Sequence, residues 1–448
     1  MAVNELIRRK RDGQAISGPE MEELIGAYAN GEVPDYQMAA WLMAVYFQGL
    51  SRGETVAMTR AMLNSGATVD MADVPGIKVD KHSSGGVGDK TSLVLLPLVA
   101  AAGVPVVKMA GRGLGHTGGT IDKLESVPGL RTELTPQEVV TVAERVGLCI
   151  AAQSKQLVPA DGRLYALRDV TATVESVPLI AASIMSKKIA AGADRILLDV
   201  KTGKGAFAQD MDTARQLAEL MVSIGAELGR TTAALVTGMD QPLGLAVGNA
   251  LEMHEAVMTL RGAGPADVRE LCLALGALML AMGGQETDLA KGRAKLKELL
   301  SSGQALTVLR KMVAAQGGDT GFIEAPERLL SAPVRLPLVA AETGYVSEVH
   351  ARIVGDCAVR LGAGRMQKGT KVDHRVGILL HKKVGAPVMR GELLAEVHAA
   401  QPDRGQEALP LLKDAFVITA QPPQPAALVR GFVTPDGFSR QLPKEFKV

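Results

Sequence analysis

The sequence predicts an α/β protein in three parts: a small all-helical domain over residues 1–66, a large α/β domain over 74–335 with a mostly parallel central sheet, and a C-terminal α+β domain over 336–448. The length of 448 residues suits about three domains. From about residue 74, short β-branched runs alternate with glycine-rich turns and Ala/Leu-rich segments, which is the pattern of βα units on a parallel sheet. Beyond about residue 335 the chain becomes strand-like and rich in turns.

Helices are predicted over residues 1–66 because Gly31, Gly49 and Gly66 separate short segments, and Ser51 with Glu54 forms a capping box. Apolar residues recur there at helical spacing, as expected for a core or a subunit interface. They are Met38, Trp41, Leu42, Val45 and Tyr46.

In the α/β domain, a helix should begin after Thr135, with Pro136 at its first position and Glu138 completing a capping box. A further helix is expected over about 177–191. The predicted strands are residues 77–81, 104–109, 195–200 and 233–237.

Composition and charge exclude several classes of protein. The 49 basic and 48 acidic residues leave a net charge of +1, and aromatic residues make up only 3%, so neither a dedicated nucleic-acid binder nor a base-stacking platform is expected. Cys149, Cys272 and Cys357 are far apart and form no CxxC pair, which argues against a disulfide framework or a zinc site. Residues 1–13 lack a secretory signal, and the longest apolar run, 93–107, is too short to span a membrane. We therefore expect a cytoplasmic protein without nucleic-acid or membrane partners.

The first of two glycine-rich loops, KHSSGGVGDKTS over residues 81–92, follows a predicted strand and precedes a predicted helix. Its backbone N–H groups can converge, and Lys81, Ser83 and Ser92 add a charge and hydroxyl donors, which suits a phosphate at a helix N-terminus. It is not a Walker A loop, because Asp89 stands between the last glycine and the lysine. A nucleoside triphosphate is therefore disfavoured.

The second loop, GRGLGHTGGT over residues 111–120, contains the GxGxxG spacing. No strand ending in an acidic residue follows about 20 residues later to hold a ribose, so a dinucleotide-binding Rossmann site is the weaker interpretation. Two glycine loops that grip one anion from two sides fit the pattern better.

A third set of polar residues lies between residues 164 and 188. Ser183 and Lys187 are four apart on the predicted helix and so project from one face, and Arg168 precedes them beyond a turn-like segment. Taken singly, each is more often a surface side chain. Together with His82, they could donate hydrogen bonds to a flat heterocycle rich in carbonyl groups.

These segments resemble the thymidine and pyrimidine-nucleoside phosphorylases. AGRGLGHTGGTIDKLE (110–125) is similar to the family signature, VDKHSSGGVGDKTS (79–92) to its phosphate loop, and the third set has the same order and spacing. The resemblance covers essentially the whole chain. It implies a homodimer whose small helical domain, joined in space by about 163–193, flanks an active-site cleft with the α/β domain. It also implies reversible phosphorolysis of pyrimidine nucleosides to the base and a (deoxy)ribose 1-phosphate, with phosphate as co-substrate and no organic cofactor.

The resemblance also assigns site residues. Catalysis and binding of the pyrimidine are carried over to His82, Arg168 and Lys187, with Ser183 as a further ring contact. Phosphate binding is carried over to Lys81, Ser83, Ser92, Lys108, Met109, Ala110 and Thr120. The family often has a serine at the position of Ala110, so one hydroxyl contact is missing here. Thymidine-restricted relatives tend to carry Met where this chain has Lys108, so the resemblance implies that uridine, thymidine and deoxyuridine are all accepted, with a thymidine-restricted enzyme as the alternative.

The chemistry agrees with these residue types. Breaking the bond between ribose C1′ and pyrimidine N1 places negative charge on the ring carbonyl oxygens, so donors such as Arg168 and Lys187 would stabilise the transition state more than the substrate. His82 would be a hydrogen-bond donor or a general acid. Phosphate would attack from the opposite face of the sugar. A phosphoribosyltransferase of the same superfamily, an oxidoreductase that uses the second loop, and a non-catalytic nucleotide-binding regulator are the competing interpretations.

The resemblance further concerns a potassium site. Broad-specificity relatives bind potassium at the positions of Gly88, Leu243, Ala246 and Glu255 and at position 90, where they have threonine. This chain has Lys90, whose ammonium can only donate. We expect the Lys90 amine to fill the cation position and to pair with Glu255; the alternative is that Lys90 turns to solvent and the other groups still hold the ion.

Overall fold

The fold is described by a computed structural model, which covers residues 2–113, 115–153, 156–366, 370–424 and 426–447. It begins with four helices: α1 Val3–Arg11, α2 Gly18–Ala29, α3 Asp35–Gln48 and α4 Arg52–Asn64. The capping box predicted at Ser51 and Glu54 starts α4. Of the predicted apolar stripe only Tyr46 is exposed; the remaining four residues are fully buried in the core of the helical domain, so that part of the stripe is a core.

The α/β domain follows, and its predicted elements are present with ends that differ by at most two residues. The Thr135 capping box begins its helix as predicted. In chain order the elements are β1 Val79–Ser83, α5 Thr91–Ala101, β2 Val106–Ala110, α6 Thr120–Leu124, α7 Pro136–Val146, β3 Leu148–Ala152, α8 Pro159–Val170, α9 Val177–Ala190, β4 Arg195–Thr202, α10 Met211–Glu227, β5 Thr231–Gly238, β6 Ala246–Val247, α11 Asn249–Leu260, α12 Ala266–Met282, α13 Leu289–Ser301, α14 Gln304–Ala315 and α15 Gly321–Glu324.

The parallel pairing expected for βα units is present. Strands β1, β4 and β5 pair in parallel in that order, and β2 pairs in parallel with β3. Helix α8 packs on α2 and α3, and α9 packs on α4, so both later helices contact the N-terminal helical domain. The carboxyl ends of β1 and β2 therefore face helices that belong in space to the other domain.

The C-terminal region contains both helices and strands. Its elements are β7 Val334–Val339, β8 Gly344–Val349, α16 Ala351–Ala358, β9 Gly377–Leu380, β10 Pro387–Val388, β11 Leu393–Ala399, α17 Pro402–Lys413, β12 Phe416–Thr419, β13 Val429–Thr434 and β14 Gly437–Ser439. Two antiparallel sheets, β6-β9-β11-β7 and β10-β8-β12, form the α+β domain. None of the helices among the described residues is long and apolar enough to cross a membrane.

The predicted boundary at residue 336 does not separate the two domains completely. Strand β13 pairs antiparallel with β5, and β14 pairs with β13, so the final hairpin extends the central sheet instead of joining the C-terminal domain. In the opposite direction, β6 of the α/β domain pairs with β9. The physical reason is that β5 would otherwise leave its edge N–H and C=O groups unpaired.

Candidate active site

A cavity of about 900 Å³ lies beside the carboxyl ends of β1 and β2, and it is also lined by the loops that follow these strands and by α8 and α9. This volume suits a small-molecule site. Ten of the residues assigned from the sequence line it: His82, Ser83, Ser92, Lys108, Met109, Ala110, Thr120, Arg168, Ser183 and Lys187. Lys81 is not one of the described residues that line the cavity.

The loop after β1 closes on itself through Ser83. The Ser83 hydroxyl donates to Asp89 Oδ2 at 2.5 Å and accepts from the Gly85 N–H at 3.2 Å. Burial would raise the pKa of Asp89, but the ammonium groups of Lys201 and Lys81 outweigh it and hold that pKa well below its usual range. The Ser83 hydroxyl therefore donates its proton to an ionised carboxylate, and a direct hydrogen bond from Ser83 to phosphate stays a prediction.

The second glycine loop makes a contact that only glycine permits. A Cβ on Gly119 would lie 2.2 Å from the Gly113 nitrogen, so the two ends of the loop could not approach each other with any other residue there. The Gly113 N–H donates to Asp122 Oδ2 at 2.7 Å, and Arg365 of the C-terminal region holds both oxygens of the same carboxylate. Leu114 of the predicted motif lies outside the described residues.

Lys81 lies behind the cavity in an ion-pair cluster. Its Nζ is 2.9 Å from Asp199 Oδ2, and Lys201 Nζ is 2.8 Å from the same oxygen. The Thr237 hydroxyl donates to the other carboxylate oxygen at 2.6 Å. Burial would raise the pKa of Asp199, but the ammonium groups of Lys201 and Lys81 outweigh this effect and lower the pKa below its ordinary value. The carboxylate fixes the Lys81 ammonium, whose contact with phosphate stays a prediction.

Lys108 has little countercharge. Its Nζ donates to the Lys81 carbonyl at 2.6 Å and lies 4.0 Å from Asp80, whose other oxygen accepts from Lys188 at 2.7 Å. Burial first, and then the charge of Lys188, lower the pKa of Lys108 to about 7. An anion in the cavity would supply the missing negative charge.

Arg168 is anchored by the backbone around it. Its Nε and both Nη atoms donate to the carbonyl oxygens of Thr173, Leu179 and Val174 at 3.1, 3.1 and 2.6 Å. A guanidinium has five N–H groups. Within the described residues three of them are used, so two remain for a ligand in the cavity.

Lys187 is held by its neighbours in a similar way. Its Nζ donates to Asp161 Oδ2 at 2.9 Å and to Ser183 Oγ at 2.8 Å, and lies 5.2 Å from the centre of the Tyr165 ring. An ammonium has three N–H groups. The contacts described for it leave one donor for the cavity, and Ser183 keeps its own hydroxyl proton.

The surroundings of His82 disfavour its charged form. Burial first, and then the nearby ammonium groups of Lys188, Lys108, Lys187 and Lys81, lower the pKa of His82 well below its ordinary value. Of the two roles expected for it, this favours a neutral hydrogen-bond donor over an imidazolium acid.

The structure brings together the residues predicted for a potassium site, with the lysine among them. Lys90 Nζ donates to the carbonyl oxygens of Leu243 and Ala246 at 2.8 Å each and to Glu255 Oε2 at 2.5 Å. The predicted Lys90–Glu255 ion pair is thus present, and Lys90 is fully buried, not turned to solvent. The residues do not fit a potassium ion as they stand, because an ammonium already uses the oxygens.

Several charged residues of the site were not identified from the sequence, among them Asp80, Asp161, Lys188, Asp199 and Lys201. One signal could have found two of them. Asp199 and Lys201 interrupt the otherwise apolar strand RILLDVKT, and charges inside a buried parallel strand are rare unless they are paired. The partners of the other three come from distant segments, and no local pattern indicates them.

Comparison with known proteins agrees with the fold. Models of the glycosyl transferase family match residues 4–66, as the helical bundle domain, and 76–306, as the a/b domain. The pyrimidine nucleoside phosphorylase C-terminal domain matches residues 345–419.

Several curated relatives are similar over most of the chain. A pyrimidine-nucleoside phosphorylase from Geobacillus stearothermophilus is 50% identical over 96% of this chain and 99% of its own length. The enzyme of the same name from Staphylococcus epidermidis is 50% identical over 89% of this chain and 92% of that one. A crystal structure of anthranilate phosphoribosyltransferase from Thermus thermophilus aligns with a TM-score of 0.58 at 21% identity, over 69% of this chain and 99% of that one, which shows a shared fold.

Proposed function

This chain belongs to the pyrimidine-nucleoside phosphorylase family, and we propose that it catalyses the reversible phosphorolysis of uridine, thymidine and deoxyuridine to the free base and a (deoxy)ribose 1-phosphate. One observation supports this most directly. A single cavity is lined both by two glycine loops suited to an anion and by Arg168 and Lys187, which keep unused donors.

The pyrimidine would lie against α8 and α9. Arg168 and Lys187 would donate to its carbonyl oxygens, and their anchoring by backbone carbonyls and by Asp161 means that little reorganisation is needed when negative charge develops on the ring. His82, whose surroundings disfavour the charged imidazolium, would donate a hydrogen bond to the ring. Cytosine has an amino group where uracil has a carbonyl, so cytidine would leave a donor unpaired.

Phosphate would lie between the glycine loops and attack C1′ from the face opposite the base. Lys108, Ser92 and Thr120 line this part of the cavity, and the backbone N–H groups near Ala110 would replace the hydroxyl that the alanine lacks. Met109 would contribute its backbone. Lys81 would act from behind the lining, through the charge that Asp199 only partly neutralises, since Lys201 shares the same oxygen.

A potassium ion is not part of this proposal. The Lys90 ammonium would do structurally what the ion does in relatives, by tying the loop at Leu243 and Ala246 to Glu255. A potassium ion beside a charged lysine at about 4 Å would suffer repulsion of about 4 kcal/mol at an effective dielectric constant near 20.

The active form would be a homodimer. Tyr36 and Phe47 are 75% and 76% exposed, lie 11 residues apart on α3 and so share one helix face about 16 Å long. Val170 at the end of α8, which packs on α3, is 76% exposed. Exposed aromatic rings at both ends of one helix face are typical of a protein–protein interface.

The proposal is tested by incubating the protein with uridine, thymidine or deoxyuridine and phosphate, and measuring the released base and the sugar 1-phosphate. Cytidine and inosine serve as control nucleosides, and a reaction without phosphate serves as the control for hydrolysis. We expect phosphate-dependent release of base from the first three only. Base release without phosphate, or equal turnover of cytidine, would contradict the assignment.

A further inference from the structure

The turn between β9 and β10 in the C-terminal domain inserts a lysine into the α/β domain. Lys383 Nζ donates to the carbonyl oxygens of Pro242 and Gly244, the latter at 2.9 Å, and to Asp267 Oδ2 at 3.0 Å. The Val384 N–H donates to Gln241 Oε1 at 3.1 Å. The lysine therefore binds the outer side of residues 242–246, which we call the bridging loop.

The inner side of the bridging loop contacts the phosphate loop. The Leu243 N–H donates to the Val87 carbonyl at 3.0 Å, and Lys90 binds the carbonyl oxygens of Leu243 and Ala246. A Cβ on Gly88, which has φ of +69°, would lie 2.6 Å from the Leu243 oxygen. Val87 is hydrogen-bonded to the bridging loop, and Gly88 packs against it too closely for a side chain. A shift of the bridging loop would therefore move both residues.

The backbone of the bridging loop is held from both sides by charged groups. The Gly244 N–H donates to Asp267 at 3.0 Å, and the Leu245 N–H donates to Glu255 at 3.0 Å. The carboxylates of Asp267 and Glu255 balance the ammonium groups of Lys383 and Lys90. Removing one ammonium leaves an at least partly buried carboxylate and two carbonyl oxygens without their donor, which is costly unless the loop moves.

We propose that Lys383 is a positioning residue of the phosphate site, which fixes the bridging loop against Val87 and Gly88 and so sets the conformation of the phosphate loop from the C-terminal domain. This rests on the proposed function only in taking residues 83–92 as the phosphate site. It gives the C-terminal domain a part in substrate binding, although Lys383 is not among the described residues that line the cavity.

The adjacent Lys382 provides a matched control. Its Nζ donates to Glu392 Oε1 at 2.5 Å and to the Pro387 carbonyl at 3.3 Å, both within the C-terminal domain. Lys382→Met and Lys383→Met therefore remove the same charge from the same turn, but only the second breaks the link to the bridging loop. Lys383→Arg keeps a cation that can bind carbonyl oxygens and Asp267.

The experiment measures the KM for phosphate, the KM for uridine and kcat in the full-length variants, together with hydrogen exchange of the amides of residues 85–91 and 242–246. We expect Lys383→Met to raise the KM for phosphate about tenfold, the effect of a displaced phosphate loop that loses one hydrogen bond to the anion, with a smaller change in the KM for uridine. Exchange should become faster in both loops. Lys382→Met should resemble the wild type, and Lys383→Arg should recover most of the phosphate affinity.

Unchanged exchange in residues 85–91 in Lys383→Met would overturn the inference, even if the protein were less stable. So would an equal rise in both KM values, or the same effects in Lys382→Met. Because hydrogen exchange needs no turnover, it decides the inference independently of the activity. Absence of phosphorolysis in the wild type, by contrast, would contradict the proposed function alone.

Discussion

At the scale of single residues, Lys108 combines burial in the cavity with a shared countercharge. Asp80, 4.0 Å away, is already bound by Lys188 at 2.7 Å. The Lys108 amine therefore loses its proton near neutral pH in the free protein, and a bound anion would favour the protonated form. Phosphate binding should take up a proton, which makes the affinity depend on pH.

We predict that the advantage of Lys108 for phosphate binding falls as the pH rises through its pKa. Phosphate itself titrates in this range, so the quantity to measure is the ratio of the phosphate KM in Lys108→Met to that in the wild type, from about pH 6.5 to 8.5. The ratio should be largest at the acidic end, where the wild-type amine is charged. A ratio that stays constant would show that Lys108 remains charged throughout, or that it does not contact phosphate.

The lysine at position 90 leads to a second prediction. Lys90→Thr leaves the oxygens of Leu243, Ala246 and Glu255 without a cation, which a monovalent ion could replace. We expect the wild type to have the same activity and melting temperature in KCl and NaCl. In Lys90→Thr, both should be lower in NaCl and largely restored by KCl. Equal behaviour of the variant in the two salts would contradict the idea that the amine takes the place of an ion.

Side-chain contacts of the site could be predicted where the family resemblance gave both residues. They could not be predicted where tertiary packing decides which residue a side chain contacts. The Lys90–Glu255 pair was expected and is present. In contrast, nothing in the sequence indicated that Lys81, which is expected to bind phosphate, forms an ion pair with Asp199. That arrangement depends on β1 pairing with β4, which brings strands more than 100 residues apart together, and local patterns carry no information on it.

At the scale of elements, strands and helices were predicted well where turns and caps delimit them. Thr135 begins α7 and Gly147, with φ of +78°, ends it, so both ends of this helix are determined by residues next to them in the sequence. The local sequence of β13 and β14 is also typical of strands, but the hairpin pairs with β5, about 200 residues earlier. Non-local pairing is therefore where the predicted domain boundary differed from the structure.

Glu54 joins two helices of the N-terminal domain and allows a prediction at this scale. It caps α4 by accepting from the Ser51 N–H at 2.8 Å, and it also accepts from Lys10 Nζ and the Ile16 N–H at 2.9 Å each. Glu54→Gln would leave the buried Lys10 ammonium without a charge partner. We expect the free energy of unfolding to fall by about 3 kcal/mol, measured by denaturant titration with the fluorescence of Trp41, which is the single tryptophan and is buried.

The pH dependence of this effect follows from the sign of the shift. Burial alone would raise the pKa of Glu54, but the hydrogen bonds from Ile16 and Lys10 outweigh it and lower the pKa below its ordinary value. The contribution to stability is thus present above the unfolded-state pKa and is lost as the pH falls through the folded-state pKa. The difference between wild type and variant should shrink in acid. Glu20→Gln, at an exposed capping box, is the control and should lower the free energy of unfolding by less than Glu54→Gln does.

At the scale of the whole molecule, the helical domain has two tasks. Its inner helices α8 and α9 carry Arg168 and Lys187 into the cavity, while the outer face of α3 exposes Tyr36 and Phe47. Since α8 packs on α3, whatever covers α3 also restrains the helix that holds Arg168. The proposed dimer would therefore stabilise the nucleoside side of the cavity more than the phosphate side.

This leads to a prediction on assembly and activity together. Phe47→Asp places a charge in the proposed interface, where its desolvation is costly, so the protein should sediment near the 46.9 kDa of one chain instead of about twice that mass. Met389→Asp, at a position 67% exposed in the C-terminal domain, is the control and should stay dimeric. In the monomer the KM for uridine should rise more than the KM for phosphate, because α8 loses its support while the glycine loops keep theirs. A Phe47→Asp protein that still sediments at twice the chain mass would exclude this face as the interface, and a monomer with an unchanged KM for uridine would separate assembly from the positioning of Arg168.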